Sequence, residues 1–370
     1  MGRQSSRIFF QGKDHKDIYF QGHYHDKMYI GSTLVWEKLK SMKINWEVYE
    51  TSIYSMTDMI VNNGDRFCFI DKRTGNIYTS SNGKTWSITE NPFTDYKIDS
   101  GSIRTDGNTF VATKNYKLSV DDMIMRQPVI SSNGLTWEKI DSVNVTKKDG
   151  AILHLKTDGT GDEMLILNYN EKANGLFISN SGSPMYGSSF NSMRYVSIKS
   201  TDGEHNASSM QNVKYINKYY YFFTRIGGGS SELWRTKDFS KFDFLTYLIG
   251  GTSLGSTIIN KFEDKIYVSS GTAQYVSEDG NTFSKNTFLK TDLYEPSLDF
   301  WTADNEKLVQ AYLGMFYVND NKYYTNDFYE NSMSGYRPHV NIMNDKIYIF
   351  YTSTGTDKPI IVFIGTKEGK

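Results

Sequence analysis

The sequence predicts an all-β chain, a ring of repeated antiparallel sheets preceded by a short β-ribbon arm. Three observations carry this reading. Thr79-Ser-Ser-Asn-Gly-Lys-Thr-Trp86 returns 51 residues later as Ile130-Ser-Ser-Asn-Gly-Leu-Thr-Trp137, and again as Val276-Ser-Glu-Asp-Gly-Asn-Thr-Phe283. From Trp86 to Phe283 is 197 residues, close to four periods of about 49, and such a period marks an array, solenoid or propeller. Each copy is a short β-run, a tight Asn-Gly or Asp-Gly turn and a Thr-aromatic pair opening the next run, which is a hairpin signal. Aromatic residues are 15% of the chain, with 27 Tyr and 22 Phe against only 6 Pro, a composition suited to half-buried strands.

Residues 1–43 stand apart and carry a shorter repeat of ten residues. Ile8-Phe-Phe-Gln-Gly12 is followed by Ile18-Tyr-Phe-Gln-Gly22 and Met28-Tyr-Ile-Gly-Ser32, joined by the polar links Lys13-Asp-His-Lys-Asp17 and His23-Tyr-His-Asp-Lys27. Each unit is one strand of about five residues, too short to fold alone. Together they predict a three-stranded ribbon with aromatic faces that another surface must cover. Phe9, Phe10, Tyr19, Phe20, Tyr29 and Trp36 are therefore the candidate attachment residues.

From residue 44 onward the long repeat can be counted twice. Apolar runs that follow a polar turn begin at Phe67, Phe110, Met164, Tyr219, Ile266, Leu308 and Ile347. Strands leading into the hairpin turn are expected at Ile77, Val129, Leu176, Leu233, Tyr275, Tyr323 and Ile360. Both counts give seven, with the fourth and sixth units the least clearly patterned. The seventh lacks an outer strand after Ile364, while Ile44-Asn-Trp-Glu-Val-Tyr49 reads as that missing piece. An open ring would leave bare sheet edges, so the N-terminal strand is expected to complete it. The prediction is a seven-bladed β-propeller over residues 44–370, closed by strand 44–50, with Trp46 placed like Trp86 and Trp137. A six-bladed ring with one unit as an insertion is the alternative.

Composition narrows the function classes. A net charge of −1 gives no electrostatic pull toward nucleic acid or an anionic membrane. A single cysteine excludes an internal disulfide framework, and Cys68 sits in the apolar run Arg66-Phe-Cys-Phe-Ile70, which predicts a buried, inert thiol. No signal peptide and no apolar run of membrane-spanning length are read from the sequence.

The hairpin repeat resembles, in degenerate form, the Asp box of sialidase-like β-propellers. In that family Asp boxes stabilise the outer turns, three arginines hold the substrate carboxylate, a Tyr–Glu pair is the nucleophile and an Asp is the acid/base. This chain has ten arginines and no Phe-Arg-Ile-Pro start, and Tyr336-Arg-Pro338 does not replace it. The resemblance thus implies blade packing for Trp86, Trp137 and Phe283, and no sialidase activity. Hydrolysis without the arginine set would require two carboxylates poised across a pocket, and no pair stands out among 42 acidic residues.

Two further motifs invite a chemical reading. His23 and His25 share one face of a strand, and three chains meeting there could form an octahedral site from His-x-His pairs. The preferred reading is solvated link residues, with no metal and no cofactor. Gly227-Gly-Gly-Ser-Ser231 lacks a following Lys-Ser/Thr and a helix pattern, so it is a loop and not a phosphate cradle.

The arm, ending in Ile30-Gly-Ser-Thr-Leu-Val-Trp-Glu-Lys38, resembles segments near the start of tail and baseplate proteins of phages and phage-like particles of Firmicutes. That resemblance implies a structural virion protein, made in the host cytoplasm and present in several copies in a symmetric particle. Its expected partners are other tail or baseplate proteins and a host-surface glycan or protein. The expectation is therefore a non-enzymatic component, anchored by its arm and displaying a propeller. The alternative is a propeller glycosidase or lyase acting on cell-surface polysaccharide.

Overall fold

The computed structural model describes residues 43–93, 97–98, 100, 103–105, 109–117, 124–139, 197–207, 211–226, 230–237, 241–248, 257–270, 273–289, 301–304, 306–353 and 358–368, with further strands between residues 18 and 37 and between 151 and 195. The protein is all-β, with one short 3-10 turn at Thr325–Asp327 among the described residues. No helix among them is long and apolar enough to cross a membrane. The chain divides into two units, one of Met1–Asn45 with Thr366–Lys370 and one of Trp46–Gly365.

In the first unit the repeat at residues 8–12 lies outside the described residues, and with it the expected three-stranded ribbon. Ile18–Phe20 pairs with His23–His25, and Lys27–Ile30 pairs with Thr33–Glu37, giving two separate antiparallel pairs. His23–His25, within a segment read as a link, is itself a strand, and its His-Tyr-His run alternates with the period of two that a strand requires. Phe9 and Phe10 lie outside the described residues, as do the side chains of Tyr19, Phe20, His23, His25, Tyr29 and Trp36.

The second unit is built on four-stranded antiparallel sheets, six of them among the described residues. The first is Val61–Asn62, Phe67–Ile70, Ile77–Ser80 and Ser87–Thr89. The others span 104–139, 211–248, 257–285 and 301–324, and the last joins Tyr336–Met343, Lys346–Ser353 and Ile361–Lys367 to Ile44–Glu50. All seven apolar runs fall in second strands. Phe67–Ile70 is wholly buried because a neighbouring sheet covers each face, which is why such strands read as continuous apolar runs. Two-residue turns at Asn217–Lys218, Glu263–Asp264 and Asn344–Asp345 join first to second strands. Both residues of each have positive φ, the geometry that matches strand twist in a hairpin.

Three units differ from expectation. The fourth, 211–248, is a regular sheet, since Tyr219–Ile226 pairs along its length with Ser230–Thr236. In the sixth, Tyr323-Tyr324 belongs to the outer strand Asn321–Tyr324, and the strand before the turn is Met315–Val318. A two-residue turn after Val318, with Asn319 at φ 52, replaces the longer Asp-box turn and shifts the register. The third is divided: Ala151–Lys156 pairs with Glu163–Asn168, while Gly175–Phe177, Met185–Gly187 and Arg194–Tyr195 form a separate small sheet.

First strands neighbour one another in chain order, 61–62, 104–105, 151–156, 211–216, 257–262, 301–303 and 336–343, and the last lies beside the first again. There Asn62 Nδ2 donates to Asn341 Oδ1 at 2.9 Å, and Asn341 Nδ2 donates to the Ile60 carbonyl at 3.2 Å. Between the last and first sheets Ile53, Phe67, Phe69, Phe350, Ile360 and Val362 make one buried cluster.

Three Asp-box turns each lock their sheet to the one before it. Ser131 Oγ accepts from Gly134 N at 2.7 Å, Asn133 Oδ1 accepts from Leu135 N and Thr136 N, and Trp137 Nε1 donates to the Gly134 carbonyl at 3.0 Å. The turns at 80–86 and 277–283 repeat the Ser and Asn/Asp bonds. Gly83 lies against Tyr348 and Phe350, Gly134 against Thr79 and Cys68, and Gly280 against Tyr221, each on the preceding sheet. The Phe283 ring carries no N–H, so the Gly280 carbonyl instead accepts from Tyr221 Oη and Arg235 Nη1, both at 2.9 Å, from the sheet before. Trp86 reaches Phe350 of the preceding sheet at 5.9 Å between ring centroids. Trp46 does the same from the last sheet, meeting Phe316 at 4.6 Å and Tyr323 at 5.5 Å.

Candidate functional site

The segment linking the outer strand of the last sheet to the inner strand of the first, residues 51–60, organises one polar face. Its path is fixed by Thr51 N donating to the Ile360 carbonyl and Ile360 N donating to the Ile53 carbonyl, both at 2.9 Å. Ile53 and Ile60 are buried in the core, while Tyr54 between them is turned outward with 53% of its surface exposed. The 71–76 turn flanks this segment, since Lys72 N donates to the Met56 carbonyl at 2.8 Å and Arg73 Nη2 to the Tyr54 carbonyl at 3.3 Å.

Carboxylates on this face are engaged. Asp71 is buried, accepts from Arg73 N at 2.9 Å and Thr74 N at 2.7 Å, and takes a short hydrogen bond from Ser55 Oγ. Burial pushes its carboxyl up, but the Ser55 and Thr74 bonds outweigh that and hold it below the usual range. Asp58 accepts from Ser100 Oγ at 2.8 Å and Lys72 Nζ at 3.1 Å. Its burial is likewise outweighed, by those two bonds and by the charges of Lys72 and Arg337. His339 is buried and its Nε2 meets Thr352 Oγ1 at 2.9 Å. Burial, with Arg337 adding and Asp58 opposing, pushes the imidazole down to about 3, so it is neutral.

Further along the face, Tyr329 Oη donates to Glu50 Oε2 at 2.7 Å, and Asn331 Nδ2 donates to Tyr329 Oη at 3.2 Å. Tyr336, at the start of the last sheet, is 6% exposed and has Lys358 Nζ 5.2 Å from its ring centroid. Burial, then the negative fields of Tyr329, Glu50 and Tyr54, push its phenol up to about 12. The face therefore combines tyrosines, Asn331 and carboxylates that already hold hydrogen bonds.

A second cluster lies at Ser200–His205, a turn of Asp-box form absent from the expected set. Asp202 Oδ1 takes a short hydrogen bond from Ser200 Oγ and accepts from Glu204 N at 3.0 Å. The sequence signal was the run Ser200-Thr-Asp-Gly203, which lacks the following Thr-aromatic pair. An added Cβ on Gly203 would meet no atom within 4 Å, so among the described residues no neighbouring sheet packs against this glycine. The turn instead joins the edge of the 211–248 sheet, with Thr201 N donating to the Phe242 carbonyl at 2.9 Å. Asp202, Glu204 and His205 bring three donor atoms within 4.8 Å and are the described residues that could gather round a metal ion. The His205 ring is stacked on Phe244 at 3.8 Å.

Tyr54 and Tyr329 were missed in the sequence because they sit in connections between units, and Glu50 and Tyr336 because they lie at strand ends, where no repeat marks them. Cys68 is fully buried, and burial pushes its thiol far up, as its apolar run implies.

No family model matches the chain, and no curated protein matches it. Among solved structures it is similar to virginiamycin B lyase from Staphylococcus aureus, with 8% identity, a TM-score of 0.46, and 87% of this chain and 99% of that chain covered. It is also similar to the β-propeller domain of the Trilobed protease from Pyrococcus furiosus, at 11% identity and TM-score 0.41, over 75% of this chain and 82% of that one. Trypanosoma rangeli sialidase is similar over 85% of this chain and 55% of its own, at 10% identity and TM-score 0.40. Identities this low carry no information on activity.

Proposed function

We propose that the chain is a non-catalytic binding protein. Residues 44–370 form a seven-bladed β-propeller, and the face around residues 50–73 and 329–358 contacts a protein or a cell-surface glycan. Residues 1–43 serve as an attachment arm, and its assignment to a phage or phage-like tail or baseplate rests on sequence resemblance alone. The blade number is supported by the order of the seven first strands, the last lying beside the first, and by strand 44–50 as the fourth strand of the last sheet.

One observation carries the binding reading: Asp58 and Asp71, the acids drawn into the face, have settled partners. Asp58 and Asp71 are both held below the ordinary carboxylate range, so neither keeps the proton that a general acid must donate near neutral pH. The groups left to meet a ligand are Tyr54, Tyr329 and Asn331, which suit stacking and hydrogen bonding to a sugar or peptide.

The test is a glycan array probed with purified full-length protein, beside a depolymerisation assay on every polysaccharide that binds. Retention without cleavage, weakened by Tyr54→Ala, is expected. Release of new reducing ends or unsaturated sugars, abolished by Asp58→Asn, would establish the glycosidase or lyase alternative instead.

A further inference from the structure

We propose that Asn82 and Asn133 are latent deamidation sites, closed while the chain is folded and open when it unfolds, and that only one of the two products returns to the fold.

Each asparagine precedes a glycine, as Asn82-Gly83 and Asn133-Gly134. A glycine nitrogen has no side chain beside it to hinder attack on a neighbouring carbonyl. The reaction begins when that backbone nitrogen gives up its proton to solvent and attacks Asn Cγ. The N–Cγ bond forms, the Cγ–Nδ2 bond breaks, and the amide nitrogen takes a proton from solvent and leaves as ammonia. Water then opens the resulting five-membered imide at either carbonyl, giving aspartate or its β-linked isomer, isoaspartate.

In the fold the attacking nitrogen is already engaged. Gly83 N donates to Ser80 Oγ at 2.8 Å and Gly134 N to Ser131 Oγ at 2.7 Å, and both glycines are buried. The side-chain carbonyl is held too. Asn82 Oδ1 accepts from Lys84 N at 2.8 Å and Thr85 N at 3.0 Å, and Asn133 Oδ1 accepts from Leu135 N at 2.8 Å and Thr136 N at 2.9 Å. Attack requires the turn to open and break these bonds together, so the rate follows the population of the opened form.

The two products meet different fates. Asp279 already occupies the equivalent position of the third turn, accepting from Thr282 N at 2.7 Å and Asn281 N at 2.8 Å. Those bonds, followed by one from Ser277 Oγ, hold its carboxyl far below the usual range, so this turn favours a carboxylate. Aspartate at 82 or 133 should therefore be accepted and add stability. Isoaspartate places an extra methylene in the main chain just before the glycine. It pulls Gly83 away from Tyr348 and Phe350, and Gly134 away from Thr79 and Cys68.

The experiment ages the full chain at mildly alkaline pH, in buffer and in denaturing guanidinium chloride. The tryptic peptides 74–84 and 127–139 are followed by mass spectrometry, and isoaspartate is counted by enzymatic methylation. Both asparagines should react at least about tenfold more slowly in the folded chain. Ser131→Ala should raise the folded-state rate at Asn133 and leave Asn82 unchanged, and Ser80→Ala should do the reverse. Tyr221→Phe, which loosens a distant contact and keeps both serines, should raise neither. After ageing unfolded, the refolded fraction should be depleted of isoaspartate but not of aspartate, and Asn133→Asp should raise the urea midpoint. Equal rates in the folded and unfolded chain, or isoaspartate retained in the refolded fraction, overturns the proposal. So does a rise at both asparagines in Ser131→Ala that Tyr221→Phe matches, since that is general loosening. The folded-against-unfolded comparison uses the natural chain, so it decides the matter even where a serine variant does not fold.

Discussion

Replacing Gly134 by alanine should destabilise the protein much more than replacing Gly203, although both glycines occupy turns of one form. Their backbones are alike, with φ of 72° and 80°, and an L-residue held in that left-handed region costs about 1–2 kcal/mol in either turn. What differs is the space. A Cβ on Gly134 would lie 2.7 Å from Thr79 Cγ2 and 3.4 Å from Cys68 Sγ, whereas one on Gly203 meets nothing within 4 Å. Forcing a methyl into a filled contact adds about 1–3 kcal/mol. Gly134→Ala should therefore cost about 2–5 kcal/mol and Gly203→Ala about 1–2 kcal/mol. Urea unfolding of each variant, with midpoints compared at equal slope, measures the difference. Adding Thr79→Ser to Gly134→Ala removes the opposing methyl and should recover most of the steric part. If the two single variants unfold at the same midpoint, the claim that these turns lock one sheet to the next is wrong.

Other outcomes follow from single contacts. Tyr221→Phe deletes the donor to the Gly280 carbonyl, but Arg235 still donates to it. The loss in urea stability should be about 1 kcal/mol, and a loss above about 3 kcal/mol would mean the hydroxyl has a larger role. Cys68, buried with its thiol pushed far up, should ignore a disulfide reagent at pH 8 until denaturant is added; rapid native-state labelling would contradict its placement. His339 is neutral in the fold down to about pH 3 but takes a proton near 6.5 when unfolded. Below pH 6.5 the unfolded chain binds the extra proton, so stability is full above 6.5 and falls as pH drops toward 3, by up to about 1.4 kcal/mol per unit. His339→Gln should flatten that part of the urea-stability profile, and an unchanged slope would count against it.

How much was legible depended on whether a residue obeys the repeat. Second strands were readable because Phe67–Ile70 and its counterparts are apolar on both faces, and burial on both sides leaves no other choice of residue. Asp-box turns were readable because a serine, an Asn or Asp and a glycine at fixed spacing satisfy one set of backbone N–H groups. The sixth sheet was misread where Asn319 makes a shorter turn, since the same strand sequence can sit on either side of a turn whose length is unknown. Ser200–His205 escaped because its turn has lost the aromatic that contacts the preceding sheet, and its glycine faces open space. The face itself was invisible for a different reason. Glu50 and Tyr329 are 279 positions apart, and only the meeting of the first and last sheets brings them together.

That meeting also sets a timetable for synthesis. Strand 44–50 emerges before every other strand of the four-stranded sheets, but its neighbour 361–367 begins 311 residues after Glu50. At translation speeds of about 5–20 residues per second, the wait is about 15–60 s. Trp46 and Tyr49 must spend it without the aromatic neighbours that later surround Trp46. A pairing with so large a sequence separation is also slow to close once both strands exist. Moving residues 44–50 to follow residue 368 through a short linker would make the pairing local and should speed refolding. In the natural order, the nascent strand is an aromatic edge awaiting its partner, open to capture by a chaperone or by another copy of the same segment on a neighbouring ribosome.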